Sequence, residues 1–485
     1  MNKEQLGYIK KRVLLLGLVL LCGLAIYGAL RFVPYGFPAA SSYFVTPPAR
    51  TLQTDEIGQM RSVTEDYFKL SLSGDDFEEW NTEKQDFWKY SIAFAAYGLP
   101  SAMIIDPEHK AEYQALMDMM IWKMKSKKVW SDFTDRGFGA DPISVQNIMY
   151  KGHLNLMYGL YQLSTGDQRY AREYTWLTQQ LASEMRLHHQ GIYEGVTCEP
   201  NAWFVECNTI GMLSLHVYDL IYGTEHTNNE IQWSLDFIMD RMRDPKTGLF
   251  YRAYLPNHDL VKKQISGYAN AWILTFLRPF LKEEMEAIYP AFKEHLIEEF
   301  GPYAAVLGQT EGEPDQVAQI FALWASKEFK DEELFGKLRN AVDKFGRLDY
   351  ESESGGLAYD DPNNVLINGV IVASKMHLGW DVVLSHDWGH FLGSEQIPDV
   401  ADLSWVDILP LRSYATGDNL ELPTASEQRA CPSCFWGDYE STRMKSTEMM
   451  GEKSQENCPV GVGEPSSCNL EVLNEPILEG SITTP

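Results

Sequence analysis

A helical spacing of apolar residues, sustained over residues 63–394, is the feature that most restricts how this chain of 485 residues can fold. In the stretch NIMYKGHLNLMYGLYQL, four apolar residues recur at intervals that place side chains on one face of a helix: Ile148, Leu154, Met157 and Leu160. The turn sequence STGDQ ends this helix, and a second helical stretch follows it. Such pairs recur at intervals of roughly 50–60 residues, which predicts an all-α domain of stacked αα-hairpins.

Short stretches rich in glycine and aromatic residues follow several of the predicted helix pairs: GIYEGV, GLFYRAY and GGLAYD. They indicate brief strands in long loops at one end of the stacked hairpins. Hairpins arranged in this way predict a closed toroid, whose inner helices direct their N-terminal ends toward a central pocket. An open solenoid of helix pairs is the structural alternative.

An uncharged run of 18 residues, VLLLGLVLLCGLAIYGAL at residues 13–30, is long enough to approach the thickness of a bilayer. The basic triplet KKR precedes it, whereas only Arg31 follows closely. By the positive-inside rule, residues 1–12 lie in the cytosol and the domain lies beyond the membrane, in the endoplasmic reticulum lumen of a eukaryote or the periplasm of a bacterium. We predict an uncleaved transmembrane signal anchor, with a cleaved signal peptide as the alternative. Residues 31–62, with FPAA and TPPAR, are predicted to be an extended linker.

The C-terminal region, residues 395–485, is polar and shows no helical period, so we predict a flexible tail. It holds four of the seven cysteines, at spacings that are diagnostic neither of a zinc site nor of disulfides: Cys431, Cys434, Cys458 and Cys468. The net charge of −27, from 41 basic and 68 acidic residues, would repel a polyanion. We therefore expect no nucleic-acid partner.

The stretch GVTCEPNAWFVECN contains two central cysteines, Cys198 and Cys207. Their spacing is too long for a redox Cys-x-x-Cys pair, and no second Cys/His pair follows at a distance typical of zinc fingers. Because the domain is predicted to lie outside the cytosol, an ordinary disulfide between them is one interpretation. A pair of reactive thiols is the other.

Several stretches of the chain closely resemble the linalool dehydratase/isomerase family: KYSIAFAAYGL, SKKVWSDFTDRGFGADPI, NIMYKGHLNLMYGLYQLSTGDQRY, CEPNAWFVECN and ISGYANAW. The resemblance implies an (α/α)6 barrel at residues 63–394, catalysis without a cofactor or metal, and assembly as a homopentamer. It also implies a prenyl or terpenoid alcohol as substrate, since the family interconverts linalool with geraniol and dehydrates linalool to myrcene.

The resemblance implies catalytic roles for several residues. His153 matches the family's active-site histidine, and Met149, one turn earlier, matches a methionine of its pocket. Cys198 and Cys207 match the two catalytic cysteines. Glu199 matches the glutamate beside the first of them.

Two further positions are compared with the family, and only the first of them matches without a gap. Tyr268 in SGYANAW matches a tyrosine of the family's pocket. Asp66 matches a catalytic aspartate only if one residue is skipped, and the tyrosine that follows it in the family is replaced by the segment Leu70–Leu72. This departure is compatible with an alcohol other than the family's usual substrate, including a larger one.

Ionising an allylic alcohol requires a proton for the hydroxyl, a pocket that tolerates positive charge, and a base. An unperturbed histidine titrates at about pH 6.5, and a thiol can exchange a proton after a modest pKa shift. We expect the two thiols on opposite walls of the pocket, with Glu199 raising the pKa of Cys198 by charge repulsion. The π faces that would bind the substrate and stabilise a cation belong to Tyr268, Trp203, Phe204 and Trp272.

Two functions from other classes are alternatives. A carbohydrate-active enzyme with an (α/α)6 barrel would need two carboxylates in a polar groove, whereas the central motif offers thiols. The second alternative is a non-catalytic binding protein tethered to the membrane.

Overall fold

The computed structural model describes residues 38–69, 88–346, 348–350, 356–359, 365–390, 392–393 and 395–409. All of them belong to one compact unit, Met1–Arg443. The predicted anchor at residues 13–30 and the four cysteines of the predicted tail lie outside the described residues. Among the helices that are described, none combines the length and the apolar character that crossing a bilayer would require.

Helices dominate the described part of the chain. In chain order they are α1 (Thr54–Lys69), α2 (Trp88–Ile105), α3 (Lys110–Lys125), α4 (Lys127–Asp135), α5 (Ile148–Thr165), α6 (Ala171–His188), α7 (Val205–Tyr222), α8 (Glu230–Arg241), α9 (Gly267–Leu277), α10 (Lys282–Leu296), α11 (Gln316–Glu328), α12 (Glu332–Phe345), α13 (Val365–Met376), α14 (Trp380–Ser385) and α15 (Trp405–Ile408).

Six of these helices form a closed inner ring. Within the described residues, α2 contacts α5, and the contacts continue through α7, α9, α11 and α13, which returns to α2. Helices α1, α3, α6, α8, α10 and α12 alternate with them along the chain and pack outside them. An outer helix returns the chain between successive inner helices, followed in the first case by the short helix α4, so all inner helices run in the same direction. The ring is the predicted toroid of six αα-hairpins, and its closure excludes the open solenoid.

The contact between α5 and α7 shows how the sequence brings inner helices together. Both helices are buried on nearly all sides, as expected for an inner layer. Gly152 faces the backbone of Gly211, where an added Cβ would lie 3.2 Å from the Gly211 nitrogen. Asn147 caps the start of helix α5, where its side chain accepts a hydrogen bond from the Tyr150 backbone, and Gly166 caps the end in the left-handed region.

The strands are short, and they lie in the loops that join the helices. Three of them form an antiparallel sheet: β1 (Trp203–Phe204), β2 (Ala253–Leu255) and β3 (Leu260–Lys262). The other four form two antiparallel pairs: β4 (Ile297–Phe300) with β5 (Tyr303–Val306), and β6 (Asp349–Tyr350) with β7 (Leu357–Ala358). Strand β1 leads directly into α7, so the sheet fixes the start of an inner helix.

The predicted linker at residues 31–62 is wrong over its described part. Helix α1 already begins at Thr54, and residues before it are buried against the barrel. The Tyr43 hydroxyl donates a hydrogen bond to Asp55, and Arg50 pairs with Glu56 at 2.5 Å. The stretch resembles a linker in sequence because it is polar, but its charged groups are paired inside the fold. A sequence pattern does not reveal such pairing.

The predicted start of the tail at residue 395 is also too early. Val400, Ile408 and Leu409 are buried. In the same segment, Asp402 forms an ion pair with Arg172 on the outer helix α6. A few isolated apolar residues anchor this segment, and they are too sparse to produce a helical period.

Candidate active site

The candidate site lies at the N-terminal ends of four neighbouring inner helices. Tyr90 on α2, Met149 on α5, Cys207 on α7 and Tyr268 on α9 each occupy the first turn of their helix. The Tyr90 hydroxyl donates a hydrogen bond to the sulfur of Met149, which joins the neighbouring inner helices α2 and α5. The predicted orientation of the inner helices therefore brings these side chains to the same end of the ring.

The two central cysteines are free thiols that lie beside each other. A tight turn between Cys198 and Ala202, closed by a hydrogen bond of 2.8 Å from the Cys198 nitrogen, reverses the chain before β1. Cys207 follows on the first turn of α7, and the two thiols form a hydrogen bond. The expectation that they lie on opposite walls is wrong, because the turn folds the CEPNA stretch back on itself.

Burial raises the pKa of both thiols. The hydrogen bond between them raises the pKa of Cys198 further, whereas it acts to lower that of Cys207. The pair therefore makes Cys207 the more acidic of the two sulfhydryls. Both thiols remain protonated at neutral pH.

His153 lies one turn deeper on α5 and is fully buried. Its Nδ1 shares a hydrogen bond of 2.7 Å with the Tyr97 hydroxyl, while its Nε2 has no hydrogen-bond partner in the described part of the chain. Burial, with a smaller contribution from Lys89, lowers its pKa to about 3. The imidazole is therefore neutral at neutral pH, unlike the readily titrating group that the sequence suggested.

Aromatic rings surround the imidazole. The ring centroids of Phe94, Tyr90 and Trp272 lie 5.2, 5.4 and 5.7 Å from that of His153, all in edge-to-face arrangements. Trp272 stacks on Phe321 at 5.2 Å, and its own Nε1 has no hydrogen-bond partner within the described residues. The result is a buried cluster of aromatic rings around one uncharged imidazole.

A buried glutamate lies beside the thiols. Glu206 precedes Cys207 on the first turn of α7, and its Oε1 accepts a hydrogen bond of 3.4 Å from the Tyr268 hydroxyl. Burial raises the pKa of Glu206 to about 7, against the opposing effect of Arg252. The carboxylate beside Cys198 is therefore Glu206, and the raised pKa of Cys198 owes more to burial and Cys207 than to any carboxylate.

Three residues that the sequence assigned to the site lie at its edge. Glu199 is in the turn, where Arg136 approaches its carboxylate at 3.4 Å. Trp203 is buried in β1 and packs on Phe237 of the outer helix α8, with ring centroids 5.1 Å apart. Phe204 is half-buried beneath the guanidinium group of Arg252 at 5.6 Å, and its backbone N–H donates a hydrogen bond to Cys198.

Asp66 lies on the last turns of α1, but its side chain is outside the described part of the structure. Among the described residues, no three His, Cys, Asp or Glu side chains form a group suited to a metal ion.

Five residues of the site were not predicted from the sequence: Tyr90, Phe94, Tyr97, Glu206 and Arg252. Three of them, Tyr90, Phe94 and Tyr97, follow one another at four- and three-residue intervals along α2. This aromatic stripe was visible in KYSIAFAAYGL, and Glu206 was visible inside the cysteine motif. No sequence motif marks Arg252, because it is positioned by backbone pairing directly before β2, where its N–H donates to the Gln264 carbonyl.

The family model for linalool dehydratase/isomerase matches residues 89–365, which is more than half of the chain. The chain belongs to this family. The linalool dehydratase/isomerase match includes all of the site residues described above except Asp66, which precedes it.

Two glycoside hydrolases are among the solved structures that resemble this fold, with low sequence identity. The family 76 α-1,6-mannanase of a Salegentibacter species is 13% identical, covers 67% of this chain and 98% of its own, and has a TM-score of 0.46. A family 105 glycoside hydrolase of C. acetobutylicum is 14% identical, covers 63% of this chain and 98% of its own, and has a TM-score of 0.40. Similarity at this level carries no information about the substrate.

Proposed function

We propose that this protein is a cofactor-free lyase or isomerase that dehydrates or rearranges a prenyl or terpenoid allylic alcohol by Cys/His acid–base chemistry. The observation that supports this proposal is the Nε2 of His153, which has no hydrogen-bond partner among the described residues and is enclosed by aromatic rings. One of these rings, Tyr90, also interacts electrostatically with the two free thiols. Membership of the linalool dehydratase/isomerase family supports the same reaction class.

The aromatic lining suits a reaction that develops positive charge on carbon. Phe94, Tyr90 and Trp272 present π systems around the imidazole, and each cation–π contact in a dry site contributes about 2 kcal/mol. Since His153 stays neutral, it does not repel an allylic cation. The same apolar surface binds a hydrocarbon chain and keeps water from quenching the cation.

The polar groups suit the hydroxyl of such a substrate. When the Tyr97 hydroxyl donates to Nδ1 of His153, the ring hydrogen lies on Nε2 and has no acceptor among the described residues. The sulfhydryl of Cys207, which stays protonated at neutral pH, supplies a second donor. Two donors on one oxygen weaken the C–O bond and stabilise the departing water.

We also propose that a membrane anchor at residues 13–30 holds this domain on the non-cytosolic side and that the protein assembles as a homo-oligomer. Support for the anchor comes from the basic triplet before it and its uncharged length. Family membership supports the oligomer, as a pentamer.

The test is incubation of the full-length protein in detergent with alcohols from monoterpenoid to diterpenoid size, without cofactor, followed by gas chromatography. We expect a diene or the transposed alcohol from at least one substrate. Cys207→Ala should lower kcat at least about 100-fold because it removes a donor to the leaving oxygen. Cys207→Ser, which restores a donor of similar size, should recover part of the activity.

Unchanged thermal unfolding of both variants would show that the loss is chemical. Wild-type protein that is folded but converts none of the alcohols, or hydrolyses glycosides instead, would refute the proposed function. Full turnover by the Cys207→Ala variant would refute the part assigned to the thiols.

A further inference from the structure

We propose that Glu206 is a further catalytic residue, whose carboxyl group protonates the departing hydroxyl and whose carboxylate then removes a proton from carbon as the double bond forms. This inference rests on the proposed reaction but moves its proton transfers from the Cys/His groups to Glu206, which leaves His153 and Cys207 as hydrogen-bond donors to the hydroxyl.

The position of Glu206 sets it apart from the other carboxylates. It is buried on the first turn of an inner helix, directly before Cys207 and opposite Tyr268 on the neighbouring inner helix. Its Oε1 accepts from the Tyr268 hydroxyl, but its Oε2 has no hydrogen-bond partner among the described residues. A buried carboxylate oxygen without a partner is unfavourable because it has lost its hydration, and a substrate hydroxyl would supply the missing partner.

A comparison with Glu230 shows that this lack of a partner is unusual. Glu230 is also buried on the first turn of a helix, α8, but Arg186 and His226 reach its two oxygens at 2.5 and 3.0 Å. Within the described residues, the side chain of Glu206 instead has one long hydrogen bond of 3.4 Å. A glutamate in the first turn of a helix is thus fully paired at Glu230, whereas Glu206 keeps one oxygen available for a ligand.

The other groups of the site are poorly suited to exchanging a proton at neutral pH. Burial raises the pKa of both thiols, which stay protonated, and lowers that of His153, which stays neutral. Burial raises the pKa of Glu206 to about 7, so its protonated and ionised forms are both populated at neutral pH. A group that must act first as an acid and then as a base works best when its pKa lies near the working pH.

Charged and titratable groups face Glu206 from each element around it. Arg252 acts from the residue before β2, Tyr268 from α9, and Cys198 from the turn before β1, while Cys207 follows it on α7. The positive charge of Arg252 opposes the effect of burial on the pKa of Glu206, so the ionised carboxylate is populated near neutral pH. Tyr268 can stabilise the ionised form by donating to Oε1.

The proposed steps balance without any other reactant. The Glu206 proton moves to the hydroxyl oxygen, the C–O bond breaks with its electron pair, and water and an allylic cation form. The carboxylate takes a proton from the adjacent carbon, whose C–H electron pair becomes the new double bond, and the acid is restored. In isomerisation, water adds to the other end of the cation and returns its proton to Glu206.

The experiment compares Glu206→Gln with Glu230→Gln in the full-length protein. Glu206→Gln should lower kcat about 100- to 10,000-fold and abolish the pH dependence of kcat near neutrality, since an amide neither donates the proton nor titrates. Glu206→Asp should regain part of the activity, and Glu230→Gln should leave kcat unchanged.

Infrared titration gives a readout that does not need turnover. In the wild type, a protonated carboxyl band should disappear as the pH rises through about 7 and should shift when geraniol is added; Glu206→Gln should lack this band. Absence of the band, or a band that geraniol does not move, overturns the inference whether or not the enzyme turns over. If the wild type converts alcohols and Glu206→Gln does so equally well, this inference fails and the proposed function stands.

Discussion

Burial shifts the pKa values of His153 and Glu206 in opposite senses, because each group loses the solvation of its charged form. His153 becomes charged by gaining a proton, so its pKa falls to about 3. Glu206 becomes charged by losing one, so its pKa rises to about 7. The same dry environment therefore gives one neutral hydrogen-bonding ring and one group that titrates near neutrality.

This contrast predicts opposite effects on stability as the pH changes. Between about pH 4.5 and 7, the folded state binds more protons at Glu206 than the unfolded state does, so Glu206 destabilises the protein as the pH rises through that window. Relative to the wild type, Glu206→Gln should therefore gain up to about 3 kcal/mol in the free energy of unfolding between pH 4.5 and 8.

His153 acts in the other direction. Its folded-state pKa lies below the unfolded value of 6.5, so stability falls as the pH drops from about 6.5 toward 3. His153→Phe should flatten this part of the profile. Urea unfolding of the three proteins across the pH range measures both effects. If the Glu206→Gln and wild-type profiles run parallel from pH 4.5 to 8, the raised pKa of Glu206 is wrong.

At the level of elements, the site depends on how closely α5 and α7 approach. A Cβ added to Gly211 would lie 2.4 Å from Cδ1 of Ile148 and 2.8 Å from its Cγ1, which no packed pair tolerates. Any separation of these helices would also move Cys207 away from His153, because the two residues lie on opposite partners of this contact.

We therefore expect Gly211→Ala to lower the free energy of unfolding by about 1–3 kcal/mol and to reduce turnover. Ile148→Val, which removes the Cδ1 atom, should cost about 1 kcal/mol alone but should recover part of the loss in the double variant. Urea denaturation of the four proteins gives the coupling energy. Strict additivity of the two changes would show that the helices do not touch at this point.

Elements were predictable where a local signal defines them. The α5 helix follows from its apolar spacing, its Asn147 cap and the turn that begins at Gly166. The proximity of Cys198 and Cys207 was not predictable, because it depends on a tight turn and on the β1 pairing with β2, whose partner residues lie about fifty positions further along the chain. Family resemblance identified the cysteines, and Glu206 is adjacent to Cys207 in the sequence, whereas only the folded structure places Arg252 beside them.

For the whole molecule, closing a ring requires the first hairpin to meet the last. Lys375 on α13 makes this connection: its Nζ lies 2.8 Å from Asp55 on α1 and 3.2 Å from Asp343 on α12. All three side chains are fully buried. The two carboxylates raise the pKa of Lys375 despite its burial, so the group is charged in the folded protein. The ring therefore closes on a buried ionic contact that joins residues 320 positions apart in the sequence.

Removing the lysine should open this closure. Lys375→Met keeps most of the side-chain volume but leaves Asp55 and Asp343 buried without their shared cation, and breaking a buried pair in this way costs about 3–5 kcal/mol. Urea denaturation should show that loss. Adding Asp55→Asn to Lys375→Met should recover part of the stability, since one of the two stranded charges is then removed. A loss below about 1 kcal/mol for Lys375→Met would mean that apolar packing alone closes the ring, with the buried charges contributing nothing measurable.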